Sequence, residues 1–170
     1  MSRALESHVV SDFAGLGRVQ RMQLLCDLLW DHLGSRPAQR EKHAPDRPYS
    51  WLGFYSMELK GKEMVLGPSR DTPACSPIGL HGMCGKCCIE RRSILVPDIK
   101  TLGENYVACD PRDLAEIVVP CINEDGTCDT IFDGDSFDTG AFDDADAAAI
   151  RRLLMLMGLS AASDPLPMKL

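Results

Sequence analysis

The cysteine content restricts this chain more than any other feature, because eight of its 170 residues are cysteine. The first twenty residues alternate polar and apolar side chains and hold no apolar core of a secretory signal, so we expect a cytoplasmic protein. The cytosol keeps thiols reduced, which argues against a structural disulfide framework. Cysteines in this number then predict either a metal site or thiol-based redox catalysis.

Length and composition are typical of one globular domain, with 45% hydrophobic and 25% charged residues. We expect a single domain over residues 1–170, with an N-terminal arm or helix at 1–14, the core at 15–160 and a C-terminal tail at 161–170. The net charge of -7 disfavours nucleic acid and anionic membranes as partners. No apolar run approaches the roughly 18 residues that suggest a membrane span.

The spacing of apolar residues predicts helices near both ends. Residues 15–33 place apolar side chains three and four positions apart, and Gly34 is a natural end for that helix. Residues 143–159 show the same spacing after an acidic start, which complements the helix dipole. A shorter helix is predicted over residues 82–92.

Between these helices the pattern is that of strands joined by turns. The turn signals lie at residues 60–62 and 123–126. The predicted strands cover residues 50–58, 63–67, 93–96, 116–122 and a last segment that reaches about residue 132. Hairpin-linked strands between terminal helices predict an α+β domain with a central antiparallel sheet flanked by the N- and C-terminal helices.

The cysteines fall into three groups. Cys26 lies on the apolar side of the first helix, where a buried structural thiol is expected. Cys121 and Cys128 flank the second turn, either as small residues that fill strand positions or as a regulatory disulfide. The middle group comprises Cys75, Cys84, Cys87, Cys88 and Cys109.

The middle group is open to two interpretations. Cys84-x-x-Cys87, together with Cys75, His81 or Cys109, would supply four ligands to zinc, although only one such pair is present. Redox catalysis needs one exposed thiolate, a resolving thiol within reach and a substrate pocket. Cys84 lies near a predicted helix N-terminus, where backbone N–H groups favour a thiolate.

Nine short motifs follow one another in a fixed order. They are Trp51–Tyr55, Leu66–Pro68, Pro73–Cys75, Gly82–Gly85, Val96–Asp98, Ala108–Asp110, Glu116–Pro120, Asp133–Ser136 and Phe142–Asp143. The ordered series resembles the free methionine-(R)-sulfoxide reductases, a family of GAF-domain enzymes, over roughly residues 15–160. Cys87 and Cys88 are extra to the family's motif.

The resemblance implies a role for each of three cysteines. Cys109 corresponds to the nucleophile, which becomes a sulfenic acid as free methionine sulfoxide is reduced to methionine. Cys84 corresponds to the resolving cysteine that forms a disulfide with it, and Cys75 to a third cysteine that can also form a disulfide with Cys84. The resemblance also implies thioredoxin as external reductant, no bound cofactor or metal, and a homodimer.

The resemblance further implies a pocket with an acidic lining of Glu116, Asp133 and Asp135 and an aromatic wall of Trp51 and Tyr55. The residues support this independently. Asp133 and Asp135 are two apart, so in a strand they share a face, and Glu116 is expected close to them. Neighbouring carboxyls raise one another's pKa, which suits a proton donor for the departing oxygen. Carboxylates also suit the ammonium group of a free amino acid.

A second function class remains open at this point. GAF domains also serve as non-catalytic sensors of small molecules such as nucleotides. Stabilisation of the fold by a nucleotide would indicate a sensor, whereas stabilisation by methionine or its sulfoxide would indicate a methionine sulfoxide reductase.

Overall fold

The computed structural model describes residues 13, 15–34, 47–70, 74–103, 106 and 109–170. Apart from Phe13, the predicted N-terminal arm over residues 1–14 lies outside the described residues.

Three α-helices follow the predicted apolar segments in the described part of the chain: α1 (Arg18–Leu33), α2 (Met83–Glu90) and α3 (Asp144–Leu156). Helix α3 begins after Asp143, whose carboxylate accepts hydrogen bonds from the backbone N–H groups of Ala145 and Asp146. Such caps satisfy the N–H groups that the first turn leaves without partners.

Seven strands of the described residues form one sheet. They are β1 (Trp51–Met57), β2 (Glu63–Arg70), β3 (Ile78–Gly79), β4 (Ile94–Val96), β5 (Ala115–Ile122), β6 (Cys128–Ser136) and β7 (Met168–Lys169). Their order is β3-β2-β1-β6-β5-β4-β7, and every pair is antiparallel except β4 with β7. The predicted α+β fold with a mainly antiparallel sheet and helices at both ends is confirmed.

Two strands run past their predicted ends. Strand β2 continues through Pro68, which was expected in a loop; the pairing with β1 shifts at this point, and a sheet accommodates proline at such irregularities. Strand β6 continues to Ser136 because it stays paired with β1 and β5 on both sides. Asp133 and Asp135 therefore lie in a strand.

The alternation of side chains along the strands divides the interior into two clusters. Leu52 and Phe54 belong to a cluster that includes side chains of α1 and α3. Trp51 and Tyr55, which point to the opposite face, belong to a second cluster with residues of α2. The first face is an ordinary apolar core, whereas the second combines apolar side chains with thiols and acids.

The C-terminal segment, which was expected to be a tail, returns to the sheet. Ile94 of β4 pairs with Met168 of β7, and the backbone N–H of Met168 donates to the carbonyl of Ser93 at 2.8 Å. None of the described helices combines the length and apolar character needed to cross a membrane.

Candidate active site

A cavity of about 360 Å³ lies on the α2 face of the sheet, a volume in the range of small-molecule sites. Its walls come from β1, β5, β6, the start of α2 and the loops that precede β3 and β5. All eight site residues predicted from the sequence line it: Trp51, Tyr55, Cys75, Cys84, Cys109, Glu116, Asp133 and Asp135.

The strand register explains how the acids come together. Asp135 on β6 pairs with Trp51 of β1 on one side and with Glu116 of β5 on the other. Asp133, two residues earlier, lies on the same face of β6 and pairs with Gly53. The prediction that the two aspartates share a face and that Glu116 lies close is confirmed.

The aromatic wall, formed by Trp51 and Tyr55, requires a glycine at position 53 between them. The rings of Trp51 and Tyr55 lie 5.9 Å apart between centroids, with an interplanar angle of 40°. A Cβ on Gly53 would come within 2.7 Å of the Trp51 ring. The Tyr55 hydroxyl donates a hydrogen bond to the carbonyl of Cys75 at 2.7 Å, so the wall also holds the Cys75 loop in place.

The disulfide at the cavity corrects the pairing that the resemblance implied. Cys109 is bonded to Cys75, with 5.6 Å between their Cα atoms, and not to Cys84. Cys84 remains a thiol that is 7% exposed and donates to Asp133 Oδ2 at 3.2 Å. The contact with Tyr55 holds Cys75 at the cavity, and the Cys75 backbone N–H donates to Cys109 Sγ at 3.3 Å.

Burial raises the pKa values of the acids in the cavity. The pKa of Glu116 rises to about 8, because of burial first and the nearby Asp133 second. Burial raises the pKa of Asp133 to about 7, although the hydrogen bond from Cys84 opposes the rise. Burial, followed by the charges of neighbouring carboxylates, raises the pKa of Asp135 well above its ordinary value. The cavity therefore retains protons near neutral pH.

The Cys84 thiol has a raised pKa for the same reasons. Burial contributes most, followed by the charge of Asp133 and then that of Glu116. A thiol in this environment is a weak nucleophile at neutral pH, because the thiolate is the reactive form.

Two further polar residues of the cavity were missed in the sequence. The Tyr106 hydroxyl donates to Glu116 Oε2 at 2.6 Å. Asp113 accepts a hydrogen bond from Ser50 Oγ at 2.7 Å, and burial raises its pKa to about 6. Both lie in the long loop that precedes β5, where no periodic pattern indicates which side chains point toward the cavity.

Two buried polar atoms of the cavity residues have no hydrogen-bond partner among the described residues. One is Asp133 Oδ1, an acceptor, and the other is Trp51 Nε1, a donor. Buried polar groups are rarely left unpaired, and each such group calls for an explanation. A ligand that offers both a donor and an acceptor would satisfy the two atoms.

The structure brings together a different set of candidate metal ligands from the set that the sequence suggested for zinc. The donor atoms of Cys84, Glu116 and Asp133 lie within 4.8 Å of one another. The zinc set considered from the sequence is not assembled, since Cys75 and Cys109 are bonded to each other and Cys87 does not line the cavity.

Comparison with known proteins relates the chain to one enzyme family. No protein-family model matches it. Over 113 residues it is 32% identical to the free methionine-R-sulfoxide reductase of Saccharomyces cerevisiae, covering 65% of this chain and 62% of that protein. The chain thus matches less than two thirds of the length of this curated relative.

Solved structures match over more of the chain. The free methionine-R-sulfoxide reductase of Neisseria meningitidis in complex with its substrate is 25% identical, with a TM-score of 0.71, over 90% of this chain and 81% of that one. A protein of Burkholderia vietnamiensis described as a candidate GAF sensor is 30% identical, with a TM-score of 0.68, over 91% and 81% of the two chains. The chain therefore has the fold of a GAF domain, and the proteins to which it is similar include the free methionine-R-sulfoxide reductases.

Proposed function

We propose that this protein reduces free L-methionine-(R)-sulfoxide to methionine by thiol chemistry. One observation carries the proposal: the Cys75–Cys109 disulfide lies in the wall of a small cavity lined by acids and aromatic rings. A redox-active pair of cysteines beside a pocket for a small molecule is the arrangement that such a reduction needs.

The first step reduces the sulfoxide. The Cys109 thiolate attacks the sulfoxide sulfur while Glu116, which holds a proton near neutral pH, protonates the oxygen. The S–O bond of the substrate and the new S–S bond then break as the oxygen passes to the Cys109 sulfur, which becomes a sulfenic acid. Two electrons pass from the Cys109 sulfur to the substrate sulfur, and methionine leaves.

The second step resolves the sulfenic acid. The Cys75 thiol displaces water from Cys109, and the Cys75–Cys109 disulfide forms. Geometry favours Cys75 over Cys84 for this role, since Cys75 is bonded to Cys109 whereas the Cys84 thiol is directed at Asp133. Cys84 is instead a polar member of the cavity lining.

An external dithiol then restores the enzyme. Cys75 is an exposed residue whereas Cys84 is buried, so a reducing protein reaches Cys75 more readily than Cys84. We take thioredoxin as the reductant, with no resident cofactor, and a cytoplasmic homodimer as the form of the enzyme. The choice of thioredoxin and of a homodimer rests on the resemblance to the reductase family.

The cavity suits a free amino acid better than a peptide. The unpaired Asp133 Oδ1 is a ready acceptor for the substrate ammonium group, which a peptide lacks. The Trp51 indole N–H, also unpaired, supplies a donor for a substrate oxygen. The Trp51 and Tyr55 rings provide an apolar surface for the methyl end of the substrate.

The direct test couples the protein to thioredoxin, thioredoxin reductase and NADPH. We expect NADPH consumption with free methionine-(R)-sulfoxide and little with the S epimer or with a sulfoxide in a blocked peptide. Equal rates with the blocked peptide would contradict the assignment of the substrate. No consumption with either epimer would contradict the proposed activity.

Cysteine variants separate the roles within that activity. Cys109→Ser should abolish even the first turnover, measured as methionine released per chain without reductant. Cys75→Ser should release one methionine per chain and then stop, whereas Cys84→Ser should continue to turn over. Continued turnover by Cys75→Ser together with arrest of Cys84→Ser would restore Cys84 as the resolving residue.

The similarity to a GAF sensor candidate supports one competing function, the binding of a small regulator without catalysis. No arginine or lysine is among the described residues that line the cavity, which disfavours phosphate-bearing ligands. Thermal unfolding with methionine sulfoxide and with nucleotides distinguishes the two functions, since only a ligand that binds the folded state stabilises it. Stabilisation by a nucleotide alone would favour the sensor.

A further inference from the structure

A second pair of thiols lies outside the cavity, between α2 and the start of β6. Cys88 Sγ donates a hydrogen bond to the backbone carbonyl of Cys128 at 3.1 Å. Cys128 Sγ donates in turn to the carbonyl of Thr130 at 3.2 Å. Neither cysteine lines the cavity, and the proposed reduction uses neither of them.

The sequence suggested Cys121 as the partner of Cys128, but in the structure Cys128 lies next to Cys88. In the sheet, Cys121 pairs with Thr130, and Cys128 pairs with Ile122 across a register shift. Cys121 belongs to the cluster with α1 and α3, whereas Cys128 packs against the cluster that contains α2. A disulfide between the two hairpin cysteines would have to cross the sheet, so Cys88 is the better placed partner.

The two thiols have different ionisation tendencies. The largest influence on Cys88 is a hydrogen bond that the Cys128 thiol would donate to the ionised Cys88 sulfur, in place of the one it donates to the Thr130 carbonyl, and this lowers the pKa of Cys88. The same interaction, followed by burial, raises the pKa of Cys128. Cys88 is therefore the thiol that ionises more readily, and Cys128 is the one that keeps its proton.

The surroundings favour a covalent bond over a metal at this pair. Among the described residues, Cys84, Glu116 and Asp133 are the only three candidate ligands whose donor atoms lie within 4.8 Å of one another. Cys88 is 3% exposed and Cys128 is only partly buried, so Cys128 is the member of the pair nearer to solvent.

We propose that Cys88 and Cys128 form a second dithiol–disulfide site, which a hydroperoxide oxidises. The Cys88 thiolate attacks one peroxide oxygen, the O–O bond breaks, and Cys88 becomes a sulfenic acid while the other oxygen leaves as water or an alcohol. The Cys128 thiol then displaces water from Cys88, and the disulfide forms. Two thiols lose two electrons in total, and the peroxide gains them.

The new bond would join the two elements that carry the polar side of the cavity. Cys84 lies one helical turn before Cys88 on α2, and Asp133 lies on β6 beyond Cys128. A covalent link from α2 to β6 would restrict movement of the Cys84–Asp133 contact. Oxidation of this pair does not depend on the proposed function, because neither cysteine takes part in the reduction of the sulfoxide.

The experiment treats the full chain, first reduced, with a small molar excess of hydrogen peroxide and maps its disulfides by mass spectrometry without reduction. Cleavage before Asp125 and Asp129 separates Cys128 from Cys121, and cleavage after Lys86 separates Cys87 and Cys88 from Cys75 and Cys84. We expect a peptide containing Cys88 linked to one containing Cys128, lighter than the separate peptides by two hydrogen atoms. Thiol titration should show the loss of two thiols beyond those of Cys75 and Cys109.

Cys87 and Cys88 are adjacent and stay on one peptide, so single cysteine variants are needed to show which of them is bonded to Cys128. The link should persist in Cys87→Ser and Cys121→Ser and disappear in Cys88→Ser and Cys128→Ser. Where a variant does not fold, fragmentation of the linked peptide from the unsubstituted chain locates the bond. A link from Cys87, or no link to Cys128 after Cys75 and Cys109 have been oxidised, would overturn the proposal.

Discussion

Asp133 has one satisfied and one unsatisfied carboxylate oxygen in the cavity. Its Oδ2 accepts the Cys84 thiol hydrogen at 3.2 Å, and its Oδ1 has no partner among the described residues. A buried acceptor without a donor costs about 1–3 kcal/mol. A substrate ammonium group would remove that cost, so the unpaired oxygen stabilises the bound state relative to the empty one.

We expect Asp133→Asn to raise the KM for free methionine sulfoxide roughly 10- to 100-fold, because it removes a charge-assisted hydrogen bond. An N-acetylated substrate, which lacks the ammonium group, should lose much less. Steady-state kinetics with both substrates measures the difference. Asp129→Asn, exposed on the same strand, is the control. An equal loss for the two substrates would mean that Asp133 does not hold the ammonium group.

Tyr106 adjusts the acid that we assign as proton donor. Its hydrogen bond to Glu116 lowers the pKa of that carboxyl and opposes the effects of burial and Asp133. Tyr106→Phe removes the hydrogen bond, so the pKa of Glu116 should rise above about 8. Glu116 then stays protonated to higher pH, so the alkaline limb of the pH profile of kcat should move to higher pH.

The control for that shift is Tyr49→Phe, which alters a tyrosine buried in the opposite core. It should leave the pH profile of kcat in place even if it lowers stability. An alkaline limb that stays fixed in Tyr106→Phe, or moves to lower pH, would show that Glu116 is not the titrating acid.

At the scale of elements, the position of α2 depends on Gly85. A Cβ at this position would collide with the backbone carbonyl and Cα of Leu80, so the helix can approach that segment only without a side chain. The close approach brings the N-terminal end of α2, and with it Cys84, to the cavity.

We expect Gly85→Ala to lower the free energy of unfolding by about 1–3 kcal/mol, the usual cost of overpacking a tight contact. Turnover should fall as well, because displacement of α2 alters the part of the cavity wall that the start of this helix forms. Urea unfolding and coupled activity assays measure the two effects. Lys86→Ala is the neighbouring control, since it removes only a 3.8 Å ion pair with Glu90. Similar stability losses in the two variants would contradict the packing argument.

The strands of this site could be predicted from the sequence, because their geometry is local. Residues two apart in a strand share a face, which is enough to group Asp133 with Asp135 without the pairing of Asp135 with Glu116. The bonding partner of Cys109 could not be predicted in this way. Cys75 and Cys109 both lie outside regular elements, and their approach depends on tertiary contacts such as that of Tyr55 with the Cys75 carbonyl.

The same limit applies to residues that the sequence did not indicate. Tyr106 contacts Glu116 from a loop, and Cys88 meets Cys128 from a helix packed on the sheet. Each contact joins segments whose relative position is set by the whole fold. No periodic pattern within either segment predicts such a contact, whereas apolar spacing predicts α1 to within three residues of its start at Arg18.

At the scale of the molecule, the sheet separates stability from chemistry. One face packs apolar side chains against α1 and α3, which supplies most of the hydrophobic stabilisation expected of such a domain. The other face holds four buried or half-buried carboxyls next to thiols and aromatic rings: Asp113, Glu116, Asp133 and Asp135. Functional sites commonly break local packing rules in this way, while the rest of the fold compensates.

This separation predicts that stability depends on pH through the cavity. The pKa of Glu116 rises from 4.5 to about 8 on folding, and that of Asp133 from 3.8 to about 7, mainly because of burial. Between about pH 4 and 8 the folded protein therefore binds more protons than the unfolded chain. The free energy of unfolding should fall as pH rises through this range, by about 1.4 kcal/mol per pH unit for each extra proton.

Urea unfolding at a series of pH values between 5 and 9 tests this expectation, and Glu116→Gln isolates one contribution. The variant carries no titrating carboxyl at this position, so its stability should decline less steeply with pH than that of the parent. Glu124→Gln, exposed in a turn, should follow the parent. A stability that increases over this range, or a Glu116→Gln profile parallel to the parent's, would mean that the cavity acids are already ionised. They would then be unable to supply the proton that sulfoxide reduction requires.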